Sequence, residues 1–377
     1  MYSVFCAERR KLNTIKRKFH SAEGYIINFG MVRNIHREGN IMGAIIVVDA
    51  LWGDSGKGKV AGFLSRRENA SLCVRAGIGT NAGHSVYLSE QNVIRTRQLP
   101  LGFMHPSTAV AIGSGVAVDP RIFAQEVERY DLDARVSVDY RCPIITEDHI
   151  RREQESQHLS QTVGSTKSGS GMAQSDFVLR LAQQAKDCPE LQPYLADIAK
   201  IANEQAQAGT IIIECSQGTF LSLALSPDYP YVTSGNCTVA AAADDVGLSW
   251  RNISGALMVV KAVPSRVGAG PMPGEMNADE IHQRGIAEYG VVTGRLRRKA
   301  AEIPWDMLRY AALLNGPTEI ALTFCDHYDP AVTGATTPEQ LTQPVRELIA
   351  KVEAATNAPV TIVETGKLFE HMVDLRR

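Results

Sequence analysis

The chain has 377 residues, a formal net charge of −2 and an ordinary globular composition. That length holds one large α/β domain or two smaller ones and buries a full core. Near-neutral charge argues against bulk nucleic-acid affinity, no apolar run is long enough to span a membrane, and seven cysteines without C-x-x-C spacing suggest neither a zinc site nor a disulfide framework. Reduced thiols in a cytoplasmic protein are the expectation.

Residues 1–41 differ from the rest. Arg9, Arg10, Lys11, Lys16, Arg17, Lys18, Arg33 and Arg37 make them basic, with no apolar periodicity and no signal-peptide core. A transit segment has this composition, but a non-essential extension without fixed structure is the simpler expectation. A single domain is expected over 42–377.

Ile45-Ile46-Val47-Val48 predicts a buried parallel strand. Gly53-Asp54-Ser55-Gly56-Lys57-Gly58-Lys59 follows, and Val60 to Arg67 reads as a helix. Strand, glycine loop and helix form a frame for phosphate: backbone N–H groups and the helix N-terminus face the anion, and lysine adds charge. Gly53 to Lys59 fits G-x-x-x-x-G-K, but Val60 stands where a P-loop needs Ser or Thr for magnesium. Asp54 is left to supply that metal ligand or to act as a base.

Cys73-Val74-Arg75 predicts a short strand leading to Gly77-Ile78-Gly79-Thr80-Asn81-Ala82-Gly83-His84, a loop where backbone approaches a ligand and His84 is a candidate general acid. Ala109 to Val118 reads as a buried strand and tight turn. Pro120 to Tyr130 reads as a helix capped by Asp119, and Val136 to Tyr140 as a strand. Gly164 to Gly171 is a hydroxyl-rich loop suited to a monophosphate, or else a linker. A helix is predicted over Asp176 to Ala185, carrying Arg180. Further strands are predicted at Thr210–Glu214, Leu257–Ala262, Ile320–Phe324 and Val360–Val363, with a helix from Val239. Arg295, Arg297 and Arg298 crowd one turn, as a solvated run does or as a carboxylate clamp does. Strands alternate with helices throughout. The expected fold is α/β, with a mostly parallel central sheet, helices on both faces and ligands at the carboxyl edge.

Taken together, Trp52-Gly53-Asp54-x-Gly56-Lys57-Gly58-Lys59, Asn81-Ala82-Gly83-His84, Gln217-Gly218, Tyr229-Pro230-Tyr231-Val232-Thr233-Ser234, Arg266-Val267-Gly268-Ala269-Gly270-Pro271 and Thr293-Gly294-Arg295-x-Arg297-Arg298 resemble the adenylosuccinate synthetase family, in its compact archaeal form. The resemblance implies a C–N ligase acting in two steps. A nucleoside triphosphate phosphorylates O6 of a purine monophosphate, and the amino group of L-aspartate then displaces that phosphate. It implies Asp54 as the base at N1, His84 as the acid on the transferring group and Lys57 on phosphate. Asp54 and the Gly83 carbonyl become the ligands of Mg2+. Ser55, Gly56, Gly58, Lys59, Asn81, Thr166, Gln217, Thr233, Val267, Asp326 and Gly366 become nucleotide contacts, with Asp326 reading the triphosphate's base. Thr293, Arg295 and Arg297 become the aspartate clamp. It also implies a homodimer in which Arg180 reaches the partner's monophosphate site.

Six departures from the family pattern gather around the substrates. They are Ser55 for Glu, Gly164-Ser165-Thr166-Lys167 for Gly-Thr-Thr-Gly, Met172 for Pro, Leu296 for Pro, Phe324 for Lys and Lys367 for Pro. Ser55 removes charge and volume beside the purine, which makes room for a 2-amino group. A phage-borne branch of the family uses such room to convert dGMP, with ATP, into the 2-aminoadenine precursor. The substrate expectation is therefore dGMP with ATP, the alternative IMP with GTP. A third possibility is a nucleotide-binding regulator without catalysis. Asp326 pulls toward GTP, because a carboxylate accepts from guanine N1–H and its 2-amino group but meets an acceptor at adenine N1.

Overall fold

The computed structural model describes residues 36–37, 40–290 and 294–376. The basic extension lies almost wholly outside them. Its end, His36–Arg37 with Asn40–Ile41, forms a short antiparallel ladder.

The fold is built on a ten-stranded sheet. Its strands in chain order are β1 (Gly43–Asp49), β2 (Leu72–Arg75), β3 (Ala109–Ile112), β4 (Val136–Asp139), β5 (Leu195–Ala196), β6 (Thr210–Glu214), β7 (Ile253–Lys261), β8 (Glu319–Thr323), β9 (Val360–Glu364) and β10 (Met372–Asp374). They lie in the order β10-β9-β8-β7-β1-β6-β2-β3-β4-β5. All neighbours are parallel except β9 and β10.

The central strands are apolar along their whole length because both faces are covered. In β1 alternate side chains serve two cores. Ala44, Ile46 and Val48 pack with Ile211, Ile213, Met258 and Val260 on one face. Ile45 and Val47 pack with Ile212, Leu257 and Val259 on the other. Helices cover each face through residues at helical spacing. Helix α1 (Lys57–Arg67) contributes Val60, Ala61 and Leu64, and α2 (Pro120–Tyr130) contributes Phe123 and Val127, to the second core. The Asp119 side chain caps α2, accepting from Arg121 N at 3.0 Å and Ile122 N at 3.4 Å, with Pro120 at the first position. Helices α3 (Glu147–Glu155) and α4 (Ser170–Val178) pack on each other beside the sheet. Helix α5 (Ile198–Ala208) places Ile198, Ala202 and Ala206 in the first core.

Two sequence expectations shift. The helix expected over Asp176–Ala185 is α4, and it ends at Val178. Gly169, left-handed at φ 79°, turns the chain straight from the hydroxyl loop into the helix. Arg180, at φ 65°, stops any continuation. Leu179 and Leu181 are exposed. Phe324, expected at the end of β8, is left-handed at φ 56° and begins the following turn. The hairpin His84–Tyr87 with Val93–Thr96 carries too mixed a pattern to be read as strands in advance.

Candidate active site

The loops that leave the carboxyl ends of the strands enclose a cleft of about 1290 Å³. It gathers Asp54, Ser55, Gly56, Lys57, Gly58, Lys59, Asn81, Gly83, His84, Thr166, Gln217, Thr233, Val267, Arg297, Asp326 and Gly366. Of the other residues singled out, Arg180 and Arg295 do not line it, and Thr293 lies outside the described residues.

The glycine loop gets its shape from left-handed backbone at Gly53 (φ 84°), Asp54 (φ 58°) and Gly56 (φ 81°). Asp tolerates this conformation better than most side chains. Buried Asp49 at the end of β1 holds the loop, accepting from Leu51 N at 2.7 Å and Gly53 N at 3.2 Å. Lys57 Nζ lies 3.6 Å from the same carboxylate and donates to the Gln217 carbonyl. Asp54 forms an ion pair with Arg297, so the candidate base and a candidate aspartate ligand meet directly.

His84 stands over this loop. Its Nε2 lies 2.7 Å from Glu214 Oε1 and also contacts Arg75 Nη1. Arg75 and Glu214 are fully buried and paired at 2.5 Å, and Glu214 Oε2 accepts from Leu101 N at 3.0 Å. Nε2 is therefore committed to the interior, and Nδ1 is the nitrogen left for the cleft. Burial lowers the His84 pKa, against the pull of Glu214. Burial alone would raise the Glu214 carboxyl, but His84 and Arg75 hold it at about 2. Gly58 has to be glycine here: a Cβ would lie 2.7 Å from His84 Cγ and Nδ1 and from Leu101 Cδ1.

Across the cleft, Gln217 Nε2 donates to Asn81 Oδ1 at 2.8 Å, and Asn81 Nδ2 donates to Thr233 Oγ1 at 3.3 Å. The hydroxyl loop leads into α4 through Thr166, Ser168 and Ser170, whose oxygens form a chain of 3.3 and 2.9 Å contacts. Buried Glu153 fixes the loop by accepting from Ser165 Oγ and Gly169 N. Such a run of hydroxyls at a helix N-terminus suits an anion.

Lys59 does not point at the space above the loop. Its Nζ donates to Glu364 Oε1 at 2.8 Å and to the Gly366 carbonyl at 2.7 Å, and Glu364 Oε2 accepts from Phe324 N at 3.0 Å. The lysine that completes the P-loop pattern is thus a buried brace between the glycine loop and the wall that carries Asp326. Burial, then the Glu364 charge, raises the Asp326 carboxyl to about 6.

Sequence reasoning missed Arg75, Glu214, Glu153 and Glu364. Arg75 and Glu214 did leave a signal, each a charge at the carboxyl end of an apolar strand. Parallel pairing sets Glu214 opposite Arg75.

The adenylosuccinate synthetase family model matches residues 46–190 and 179–333. Archaeal adenylosuccinate synthetases are similar along most of the chain. Those of Thermococcus onnurineus and Archaeoglobus fulgidus are 42% identical over 339 residues, and that of Pyrococcus horikoshii 41%, each alignment covering 89% of this chain and 99% of the relative. Two solved structures share the fold. Fully ligated adenylosuccinate synthetase from Plasmodium falciparum has a TM-score of 0.79 at 20% identity, over 88% of this chain and 99% of that one. Cyanophage S-2L succinoaminodeoxyadenylate synthetase bound to dGMP and dATP has a TM-score of 0.75 at 23% identity, over 89% and 96%. With its glycine loop, His84 and Asp326 gathered in one cleft, and with relatives at this identity along most of its length, the chain belongs to the adenylosuccinate synthetase family of C–N ligases.

Proposed function

We propose that the enzyme joins L-aspartate to C6 of IMP with hydrolysis of GTP, making adenylosuccinate. The observation that carries this substrate choice is the identity of about 40% along 339 residues to proteins named adenylosuccinate synthetase. Asp326, as a carboxylate, supports guanine in the triphosphate. The expectation of dGMP with ATP rested chiefly on Ser55, beside likenesses at Gly171-Met172-Ala173, Asn236-Cys237-Thr238 and Phe324-Cys325, and the phage enzyme that binds dGMP is similar at only 23% identity. One observation keeps dGMP as the second reading: the Ser55 side chain is buried and lines the cleft, and its hydroxyl has no hydrogen-bond partner among the described residues.

In the proposed mechanism Asp54 takes the N1 proton, which makes O6 nucleophilic toward the γ-phosphate. Arg297 pairs with Asp54 and then meets the carboxylates of aspartate. His84 presents Nδ1 to the transferring phosphoryl group while Glu214 and Arg75 fix its ring. The donor set suits magnesium. Among the described residues no three metal-binding side chains cluster, and Mg2+ is commonly held by one or two carboxylates plus substrate phosphates. Asp54 and the Gly83 carbonyl would hold it, and it would neutralise charge on the phosphoryl oxygens. Thr166 is assigned to the monophosphate, with Arg180 arriving from a partner subunit.

Aspartate- and magnesium-dependent phosphate release, with IMP or dGMP each paired with GTP or ATP, tests the reading. Release with IMP and GTP is expected. Release with dGMP and ATP alone would replace the proposal by the second reading, and silence in all four mixtures would remove the ligase assignment of the cleft.

A further inference from the structure

Beside the hydroxyl loop lies a second cavity, of about 310 Å³, to which the reaction above assigns nothing. Three cations line it, Arg97, Arg121 and Lys167, against one carboxylate, Asp119. That carboxylate is fully engaged. It caps the start of α2 through Arg121 N and Ile122 N, and the Arg121 side chain pairs with it from Nε and Nη2, each at 3.3 Å. Arg121 Nη1 also meets Glu147 at 3.1 Å, but that carboxylate is 88% exposed and screened by water. Arg121 and Asp119 therefore cancel, and two cations remain. Arg97 donates to an uncharged group, the Thr80 carbonyl, from Nε at 3.2 Å and Nη2 at 3.1 Å. Glu126, whose charge it feels, is taken up by the N–H groups of Arg97, Gln98 and Leu99. Burial lowers the Arg97 pKa against the pull of Asp119 and Glu126, as expected of a half-buried guanidinium without a bonded counter-charge. Lys167 is exposed and bonds through its backbone, donating to Ser165 Oγ at 3.0 Å, while its ammonium has no partner among the described residues. Its backbone is left-handed at φ 60°, which glycine adopts freely and lysine only at a cost. No contact of its side chain offsets that cost. Ile122 and Ile150 add apolar wall, and buried Ser168 lines both this cavity and the main cleft.

We propose that this cavity binds a phosphoryl dianion between the Arg97 guanidinium and the Lys167 ammonium, at a site separate from the substrate cleft. Two uncompensated cations match the charge of a phosphate group, about −1.5 to −2 near neutral pH, and the guanidinium fork suits its oxygens. The cavity is roomier than phosphate alone requires and has two apolar walls. The ligand is thus inorganic phosphate or the phosphate end of a small phosphorylated metabolite. With its one carboxylate engaged, the lining offers no free general base, so the site holds a ligand rather than transforming it. An anion there reaches both loops of the cleft, since Ser168 belongs to the hydroxyl loop and Arg97 holds the Thr80 carbonyl beside Asn81. The site does not depend on which nucleotides the cleft takes.

Crystals soaked in tungstate, a tetrahedral dianion located by its anomalous scattering, show where the anion sits, and calorimetry with inorganic phosphate measures it in solution. Anomalous density between Arg97 and Lys167 is expected. Lys167→Gly fits φ 60° without strain, so it should fold as wild type does and weaken this phosphate site about tenfold. Arg97→Gln should weaken it by a similar factor, and acetate, with a single charge, should compete poorly. Tungstate confined to the main cleft, phosphate binding unchanged in Lys167→Gly, or acetate competing as well as phosphate would each overturn the proposal. Glycerol 3-phosphate separates the two sources. Binding tighter than that of inorganic phosphate assigns the site to a phosphorylated metabolite, weaker binding assigns it to free phosphate, and either supports a phosphoryl site. None of these readouts uses turnover, so failure of the ligase reading, seen as no phosphate release in any mixture, is distinguishable from failure of this site.

Discussion

Two buried charges hold one nitrogen of His84 and leave the other for the proposed chemistry. Replacing Glu214 with Gln leaves Arg75 buried beside a neutral amide, and truncating a buried pair in this way costs about 3–5 kcal/mol. Urea unfolding should show that loss near neutral pH. Its pH dependence has a definite sign. The Glu214 carboxyl titrates at about 2 in the fold against 4.5 ordinarily, so its stabilisation is complete above about 4.5 and fades as pH falls toward about 2. The variant should therefore lose less stability than wild type across that window. Asp326 titrates the other way. Raised to about 6, it is neutral below that pH and can no longer accept from guanine. The KM for GTP should rise as pH falls through about 6, and Asp326→Asn should flatten that rise; a KM independent of pH from 5 to 8 would argue against Asp326 as the base reader. Asp54→Asn should lower kcat about 100- to 10,000-fold, the range for removal of a general base.

At the scale of elements, the glycine loop and α1 act together with His84. Gly58→Ala would push a methyl group into the imidazole and Leu101. Overpacking of this kind costs about 1–3 kcal/mol, and a displacement of about 1 Å in a catalytic group costs about 100-fold in rate. Both a lower melting temperature and a lower kcat are expected, and an unchanged kcat would show that His84 tolerates the shift. Much at this scale was legible in sequence. The β-branched run gave β1, Asp119 and Pro120 gave the start of α2, and Thr210–Glu214 matched β6 residue for residue. What was not legible depended on strand order. Arg75 and Glu214 are 139 residues apart and meet only because β6 lies beside β2. Lys59 fitted a phosphate-binding pattern, and nothing local to it reveals that Glu364 occupies its ammonium. The end of α4 was misplaced because nothing in the residue types of Asp176–Ala185 marks the left-handed backbone at Arg180.

The whole molecule raises the question of a second copy. Arg180 does not line the cleft, its guanidinium donates to the Val178 carbonyl at 2.6 Å, and Val178, Leu179 and Leu181 around it are 60–72% exposed. An apolar patch carrying an arginine is the composition expected of an interface. Sedimentation should therefore report a dimer. Mixing inactive Arg180→Leu with inactive Asp54→Asn should restore about a quarter of wild-type turnover, because half the dimers are mixed and each mixed dimer holds one intact site. No recovery after subunit exchange would place Arg180 outside the reaction.

The brace between Lys59 and Glu364 spans 305 residues of chain. A ribosome adds roughly 5–20 residues per second, so a growing chain carries the completed glycine loop for about 15–60 s before Glu364 has been made. Through that interval the Lys59 ammonium lacks the Glu364 carboxylate, and Gly366 does not exist. A nascent chain thus lacks the wall of the cleft that Glu364 and Gly366 complete. Competence arrives late and all at once, with the last strands of the sheet.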